Sequence, residues 1–400
     1  MTAKPQRQRV ELLDALRGFA LIGVLLVNLR YFSLYELLPA AGQTALVTAA
    51  ADRAIALLFA ALIDTKSITL FTFLFGIGFA LQFDEARRDA ASTRRYLRRL
   101  AVLLGIGLAH GMLVWSGDIL RYYALAGLLL VACARLSTRG LFVAGTLIAL
   151  FGSALLRPLM TMLPRTPGGS DAATAAAFAA FSEGGIADVV AANYAYATFE
   201  LVANWSLVPF VIGRVLIGVA IGRSGVLTHA ASHLPFWRRL WWHGLAVGGA
   251  LTAFTLSRDA GLLPGGPEFW RHDAVRAFTG AVRAAGSIGL ACAWMAGFVL
   301  LFQRDAWRGR FGVLAAVGRT ALSNYLLQTL AGIALFYGVG LGIGPRWGLP
   351  AVLVATAAIF ALQCRASVLW LARFRYGPVE WAWRCLTYGE RLPIVRTPAP

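Results

Sequence analysis

The stretch LAHGMLVWSGDILRYYALAGLLL, residues 108–130, decides the reading of the chain. Two apolar runs meet at Ser116-Gly117, and this predicts two membrane helices folded back on each other. His110 falls inside the first helix and Asp118 opens the second. Ionisable groups are rare within a bilayer and by default mark a functional position. Asp118 has a plainer reading as a helix N-cap, and His110 as a buried neutral imidazole. Gly107 and Gly111 flank His110 at the spacing that lets helices approach closely.

Composition extends this reading to the whole chain. Of its 400 residues, 58% are hydrophobic and 14% are charged, against about 25% charged in soluble proteins. Mean hydropathy is +0.67. The predicted class is an all-α, polytopic integral membrane protein whose first partner is the lipid bilayer. The net charge of +18 sits in short loops between apolar runs, which is the positive-inside pattern and excludes a nucleic-acid surface. The cysteines are scattered without a CxxC, so no disulfide framework or metal site is expected. Only Lys4 and Lys66 are lysine among 37 basic residues, which singles out Lys66 as a compact ammonium in an arginine-writing chain.

Apolar runs at 11–32, 66–83, 97–115, 118–134, 141–163, 199–221, 237–256, 279–302, 314–339 and 349–371 give about ten spans. A further run, 46–63, is read as interfacial or as part of a longer bent helix. The basic residues of 84–99, 223–239 and the C-terminal tail then share one side, so both termini are expected in the cytoplasm. Residues 1–165 hold helices one to five, 166–198 form a polar outer loop, and 199–400 hold helices six to ten.

This topology places several polar groups at one outer depth. They are Asn28, Lys66, His110, Asp118, Tyr122, Glu200 and Asn204. A second set lies deeper or at the inner side: Arg17, Arg214, Arg319, Asn324 and Gln328. Asp14 and Arg17, three apart, are expected to pair, as are Asn324 and Gln328 to share a face. An unpaired arginine mid-membrane, Arg214 above all, costs about 2.5–3.5 kcal/mol on insertion scales, and an anionic ligand entering from the cytoplasm would offset that.

Beside these readings, RVELLDALRGFALIGVLLVNL at 9–29, KSITLFTFLFGIGFAL at 66–81, LAHGMLVWSGDIL at 108–120, GRTALSNYLLQT at 318–329 and GPVEWAWRCLTYG at 377–389 resemble the YeiB-like family, the domain of unknown function 418. The resemblance covers nearly the whole chain and implies a bacterial inner-membrane location. That family is in turn distantly similar to the membrane acyltransferases that include the lysosomal heparan-sulfate acetyltransferase. The resemblance implies acyl-CoA as co-substrate on the cytoplasmic side and a small-molecule, glycan or lipid acceptor on the other. The lysosomal enzyme's catalytic histidine has no matched position here.

Two functions follow as expectations. In an acyltransferase, His110 serves as general base, Asp118 orients it, Lys66 or Asn28 stabilises the developing oxyanion, and Arg214 and Arg319 hold donor phosphates. In a transporter of a small polar solute, the same histidine, aspartate and lysine form a proton relay. Either is compatible with a homo-oligomer. The C-terminal GPVEWAWRCLTYG, with Pro378 suited to a helix's first turn, is expected to pack near Arg319 and close the inner entrance.

Overall fold

A computed structural model describes residues 3–86, 89–133, 135–162 and 169–396. The helices run in order as α1 Ala3–Phe32, α2 Ala40–Ala45, α3 Ala49–Leu58, α4 Lys66–Ala86, α5 Ala90–Leu113, α6 Leu120–Ala132, α7 Thr138–Thr161, α8 Gly169–Glu183 and α9 Ile186–Ala203. They continue as α10 Leu207–Ser224, α11 Leu234–Asp259, α12 Pro267–Arg271, α13 Asp273–Phe302, α14 Asp305–Arg319, α15 Ala321–Phe336, α16 Gly348–Arg373 and α17 Pro378–Tyr388. No strand is present among the described residues. Among the described residues, seven stretches are long and apolar enough to cross a membrane, and α6 and α15 are shorter apolar helices. The protein is a multi-pass, all-α membrane protein. Arg87, Arg88 and the residues from Leu163 to Gly168 lie outside the described residues, as do the side chains of Lys4, Arg7 and Arg9.

α1 and α10 form the centre. Leu16, Leu21, Leu25 and Leu29 of α1 are fully buried, and α10 is buried around most of its circumference from Val211 to Ala220. A helix apolar on all sides must be enclosed by others. Glycine sets how closely the helices approach. A Cβ on Gly318 of α14 would overlap the Asp14 carbonyl of α1, and one on Gly76 of α4 would overlap the Val215 carbonyl of α10. Outward faces carry exposed Leu155, Leu362 and Leu369, as a lipid-facing surface requires.

Several expectations change. The outer loop 166–198 contains two helices, α8 and α9. Its run of alanines carries the strongest helix propensity of any residue, and the loop reading gave more weight to the Pro-Gly-Gly that precedes it. The single span at 314–339 is broken at Thr320 into α14 and α15. Asp118 stands two residues before α6, which starts at Leu120. Run 46–63 becomes α3 and a π-helical turn, Phe59–Ile63, joined to α4 through Asp64 and Thr65.

The break at Thr320 would strand the first amides of α15 in an apolar setting, where each lost bond is costly. Glu380 of α17 supplies the acceptor. One carboxylate oxygen takes the amides of Leu322 at 2.7 Å and Ser323 at 3.0 Å, and the other takes the Ser323 hydroxyl at 2.5 Å. Asn324 completes the repair by donating to Thr320 Oγ1 and Ser367 Oγ, each at 3.0 Å.

Candidate functional site

The fold-back between α5 and α6 brings His110 and Asp118 together. Gly107 permits it, since a Cβ there would overlap the Arg121 backbone. His110 Nδ1 lies 2.7 Å from Asp118 Oδ2, and Nε2 lies 3.1 Å from the Thr329 hydroxyl of α15. Asp118 is fully buried and His110 is 6% exposed. Asp118 Oδ1 also accepts the Arg121 amide at 3.2 Å. The aspartate is therefore both a helix-start acceptor and the histidine's partner. Asn193 of α9 locks the turn, accepting from the Ser116 amide at 2.8 Å and donating to the Met112 carbonyl at 2.9 Å.

Sequence reasoning passed over Arg121, which is 4% exposed. Its Nη2 donates to the Ser116 carbonyl at 3.1 Å, while Nε and Nη1 are buried without hydrogen bonds among the described residues. Nη1 and Asp118 Cβ converge on the same space over Gly111. The available signal was a lone arginine in a short apolar helix, three residues after Asp118.

A cavity of about 630 Å³ lies against this pair. At one end its walls carry Arg17, Arg99, Arg319, Arg375 and Arg384, with Asp14 and Glu380 among them. Its middle is apolar and aromatic, formed by Leu74, Phe71, Phe75 and Phe79 of α4 with Leu103 and Tyr123. At the deep end are Asn28, Gly117, Ile119 and Tyr325. The Tyr325 ring packs 5.4 Å from the His110 ring, and its buried hydroxyl makes no hydrogen bond among the described residues. Tyr325 thus stands between the cavity and the His110–Asp118 pair, and His110 does not itself line the wall.

α17 closes the arginine-bearing end. Trp383 donates its indole N–H to the Arg99 carbonyl at 3.0 Å and lies under the Arg99 guanidinium at 4.1 Å. Arg319 donates to the Arg375 carbonyl at 3.2 Å. Burial pushes the Glu380 carboxyl up from its ordinary range, against the hydrogen bonds from Ser323 and Leu322 that pull it down.

The other sequence-selected residues divide. Arg17 pairs with Asp14 at 2.9 Å and lines the cavity with Arg319. Asn28 lines its deep end. Tyr122 is buried beside Arg121, whose guanidinium carbon is 5.1 Å from its ring centroid, and its neighbour Tyr123 takes the wall position. Asn324 and Gln328 do share a face, but it faces α16. Gln328 donates to Gln363 at 2.8 Å and Gln363 to the Asn324 carbonyl at 2.9 Å, so both are helix-to-helix contacts.

Three groups leave the site altogether. Lys66 donates to the Ala60 carbonyl at 2.5 Å, because the π-turn and its end expose carbonyls that a compact ammonium can reach. Glu200 and Asn204 are bonded to each other, with Asn204 exposed and neither on the cavity wall. Arg214 lies across α4 from the cavity. Hydropathy could not give the direction each of these side chains faces around its helix, and Arg214, expected with the inner arginines, lines a cavity with Thr65, Ser206 and Asp273 instead. Among the described residues no cluster of His, Cys, Asp and Glu could hold a metal ion.

A family of proteins of unknown function, DUF418, matches residues 221–390. YeiB of Escherichia coli (strain K12) is 33% identical over 96% of this chain and 97% of its own. The chain belongs to the YeiB-like family. YxaH of Bacillus subtilis (strain 168) is 30% identical over 97% of this chain and 96% of its own. No solved structure matches the chain. In YeiB-like terms, the matched region 221–390 holds Arg319, Tyr325, Thr329 and Glu380, whereas His110, Asp118 and Arg121 lie before it. The cavity is therefore built from both halves of a YeiB-like chain.

Proposed function

We propose that this YeiB-like protein is a membrane acyltransferase that takes an acyl-CoA from its arginine-bearing end, on the cytoplasmic side of a bacterial inner membrane. The acyl group passes to a hydroxyl or amine acceptor reached from the far side. One observation carries the reading: a single cavity runs from five arginines, through an apolar bore, to Tyr325 and the turn that bears Asp118. That sequence of surfaces suits a donor with phosphates at one end and an acyl chain at the other. Arginine forks match phosphate geometry, and the volume falls within the usual range for small-ligand sites.

In the reaction the acceptor oxygen or nitrogen attacks the thioester carbonyl carbon and the carbon–sulfur bond breaks. The acceptor's proton passes through the Tyr325 hydroxyl to the His110–Asp118 pair and returns to the departing thiolate. Asn28 donates to the carbonyl oxygen as negative charge develops there. Tyr325 touches the reacting groups in this scheme, and His110 and Asp118 act through it. The test is release of CoA thiol in native membranes, which contain the acceptor, supplied with acyl-CoA of several chain lengths. Release above control membranes, lost in His110→Ala, is expected. No release at any chain length, with the protein folded, sinks the reading.

Transport of a small polar solute is the second reading, favoured by the broken helix at Thr320. Discontinuous helices line substrate sites in many transporters. Label that crosses vesicles containing the protein without leaving its acyl donor would select it.

A further inference from the structure

A second cavity, of about 700 Å³, lies between α7, α10 and α13. Its floor is Arg214, 1% exposed. The guanidinium donates to Thr69 Oγ1 at 2.7 Å, Ser287 Oγ at 3.1 Å and the Phe210 carbonyl at 3.2 Å. Phe210 also stacks on it at 3.6 Å. Among the described residues no carboxylate lies within 4 Å of it. Every partner is neutral, so the positive charge is held in the bundle uncompensated, which is expensive.

The walls add charge of the same sign. Among the described residues, Arg157, Arg276 and Arg283 line the cavity with a single carboxylate, Asp273. Arg283 is engaged by Asp259 at 2.9 Å. Hydroxyls of Ser153, Ser206 and Thr161 also line it, and Leu150, Pro158 and Ala277 make the rest apolar. This cavity belongs to the end opposite the arginine-bearing mouth. α4 separates the two, with Thr69 bonded to Arg214 while Ile68 and Phe71 line the first cavity.

We infer that this second cavity binds a phosphate-bearing anion from the far side of the membrane, at a site distinct from the donor cavity. A bound phosphate supplies the counter-charge that Arg214 lacks, and the arginines of the wall meet its oxygens with charge-assisted bonds. The apolar part of the wall accepts the glycerol or acyl portion of the molecule. Such chemistry comes from the headgroup of an anionic lipid or from a soluble phosphate ester. The inference does not depend on acyl transfer, and either can fail alone.

The test uses full-length protein in a neutral detergent. Binding of short-chain phosphatidylglycerol and of glycerol phosphate is measured by native mass spectrometry and by ligand-dependent thermal stabilisation, with phosphatidylcholine as control. Arg157→Gln/Arg276→Gln changes two wall residues and leaves the buried Arg214 intact. It is expected to weaken binding at least about 10-fold, since each charge-assisted bond lost is worth that much. Arg384→Gln, in the first cavity, should leave it unchanged. Binding of the lipid alone assigns a headgroup site, and binding of both probes assigns a site for the phosphate itself. Binding of neither probe, affinity equal to that for phosphatidylcholine, affinity unchanged in the double variant, or loss in Arg384→Gln overturns the inference.

Discussion

Replacing Asp118 by Asn separates the two jobs that one carboxylate performs. The Asn carbonyl can still accept the Arg121 amide now held at 3.2 Å, because Asn caps helices about as well as Asp. The amide nitrogen replaces Oδ2, which lies 2.7 Å from His110 Nδ1, only as a donor, so the imidazole either faces a second donor or shifts its proton to Nε2, and in both cases it loses its carboxylate acceptor. What is lost is one hydrogen bond to a charged, fully buried group, worth about 1.5–3 kcal/mol, or roughly 10- to 100-fold in a rate that depends on it. Most of that loss should vanish when His110 is already Ala, so the double-mutant cycle should show a coupling of about 1.5–3 kcal/mol. The rate is read as CoA thiol release in membranes, with expression and thermal unfolding measured on the same four proteins. Losses that add within about 0.5 kcal/mol would show that His110 and Asp118 do not act as one unit, and would refute the reasoning.

Other consequences are equally direct. Lys66→Ala should strip the Ala60 carbonyl of its donor and cost about 1–3 kcal/mol in detergent unfolding, with donor KM unchanged, because Lys66 is absent from the cavity wall. Arg384→Gln should raise the KM for acyl-CoA about 10-fold with little change in kcat, as expected for a contact that holds the donor throughout the reaction. Gly318→Ala should destabilise by about 1–3 kcal/mol, because the added methyl meets the Asp14 carbonyl and the two helices must part. Burial raises the Glu380 pKa in the folded protein. Its pH-linked contribution is therefore fully present below the unfolded carboxylate value and is lost as pH rises through the raised one. Glu380→Gln should flatten that slope in unfolding midpoints measured from about pH 4 to 8, and an unchanged slope would show that another group carries it.

Much of this was legible in the chain itself. A short turn between two apolar runs leaves His110 and Asp118 nowhere to go but toward each other, and three-residue spacing paired Asp14 with Arg17. The packing of α17 near Arg319 was also readable, from Pro378 and the tryptophans that follow. The break at Thr320 was not. Gly318, Thr320, Ser323 and Asn324 weaken the helix there, but the group that caps the new helix start is a carboxylate far along the sequence, Glu380. Lys66, Glu200 and Asn204 were grouped by depth, which hydropathy gives. Which way each side chain faces depends on neighbours that only the packed bundle supplies. Arg214 was grouped with the inner arginines, whereas its cavity lies toward the opposite end with α4 between it and Arg319.

The reach of Glu380 across to the start of α15 has a consequence for how the protein is made. While a nascent chain emerges, α15 enters the membrane with two amides and a hydroxyl still awaiting their acceptor. The acceptor arrives only with α17, after α16 has been made, so the mouth of the first cavity cannot close before then. A ribosome that stalls or a message cut short before residue 380 therefore yields a chain with the broken helix unsupported and the arginines of the mouth uncovered. Membrane quality-control proteases would meet an incomplete product that differs from the finished one at this junction.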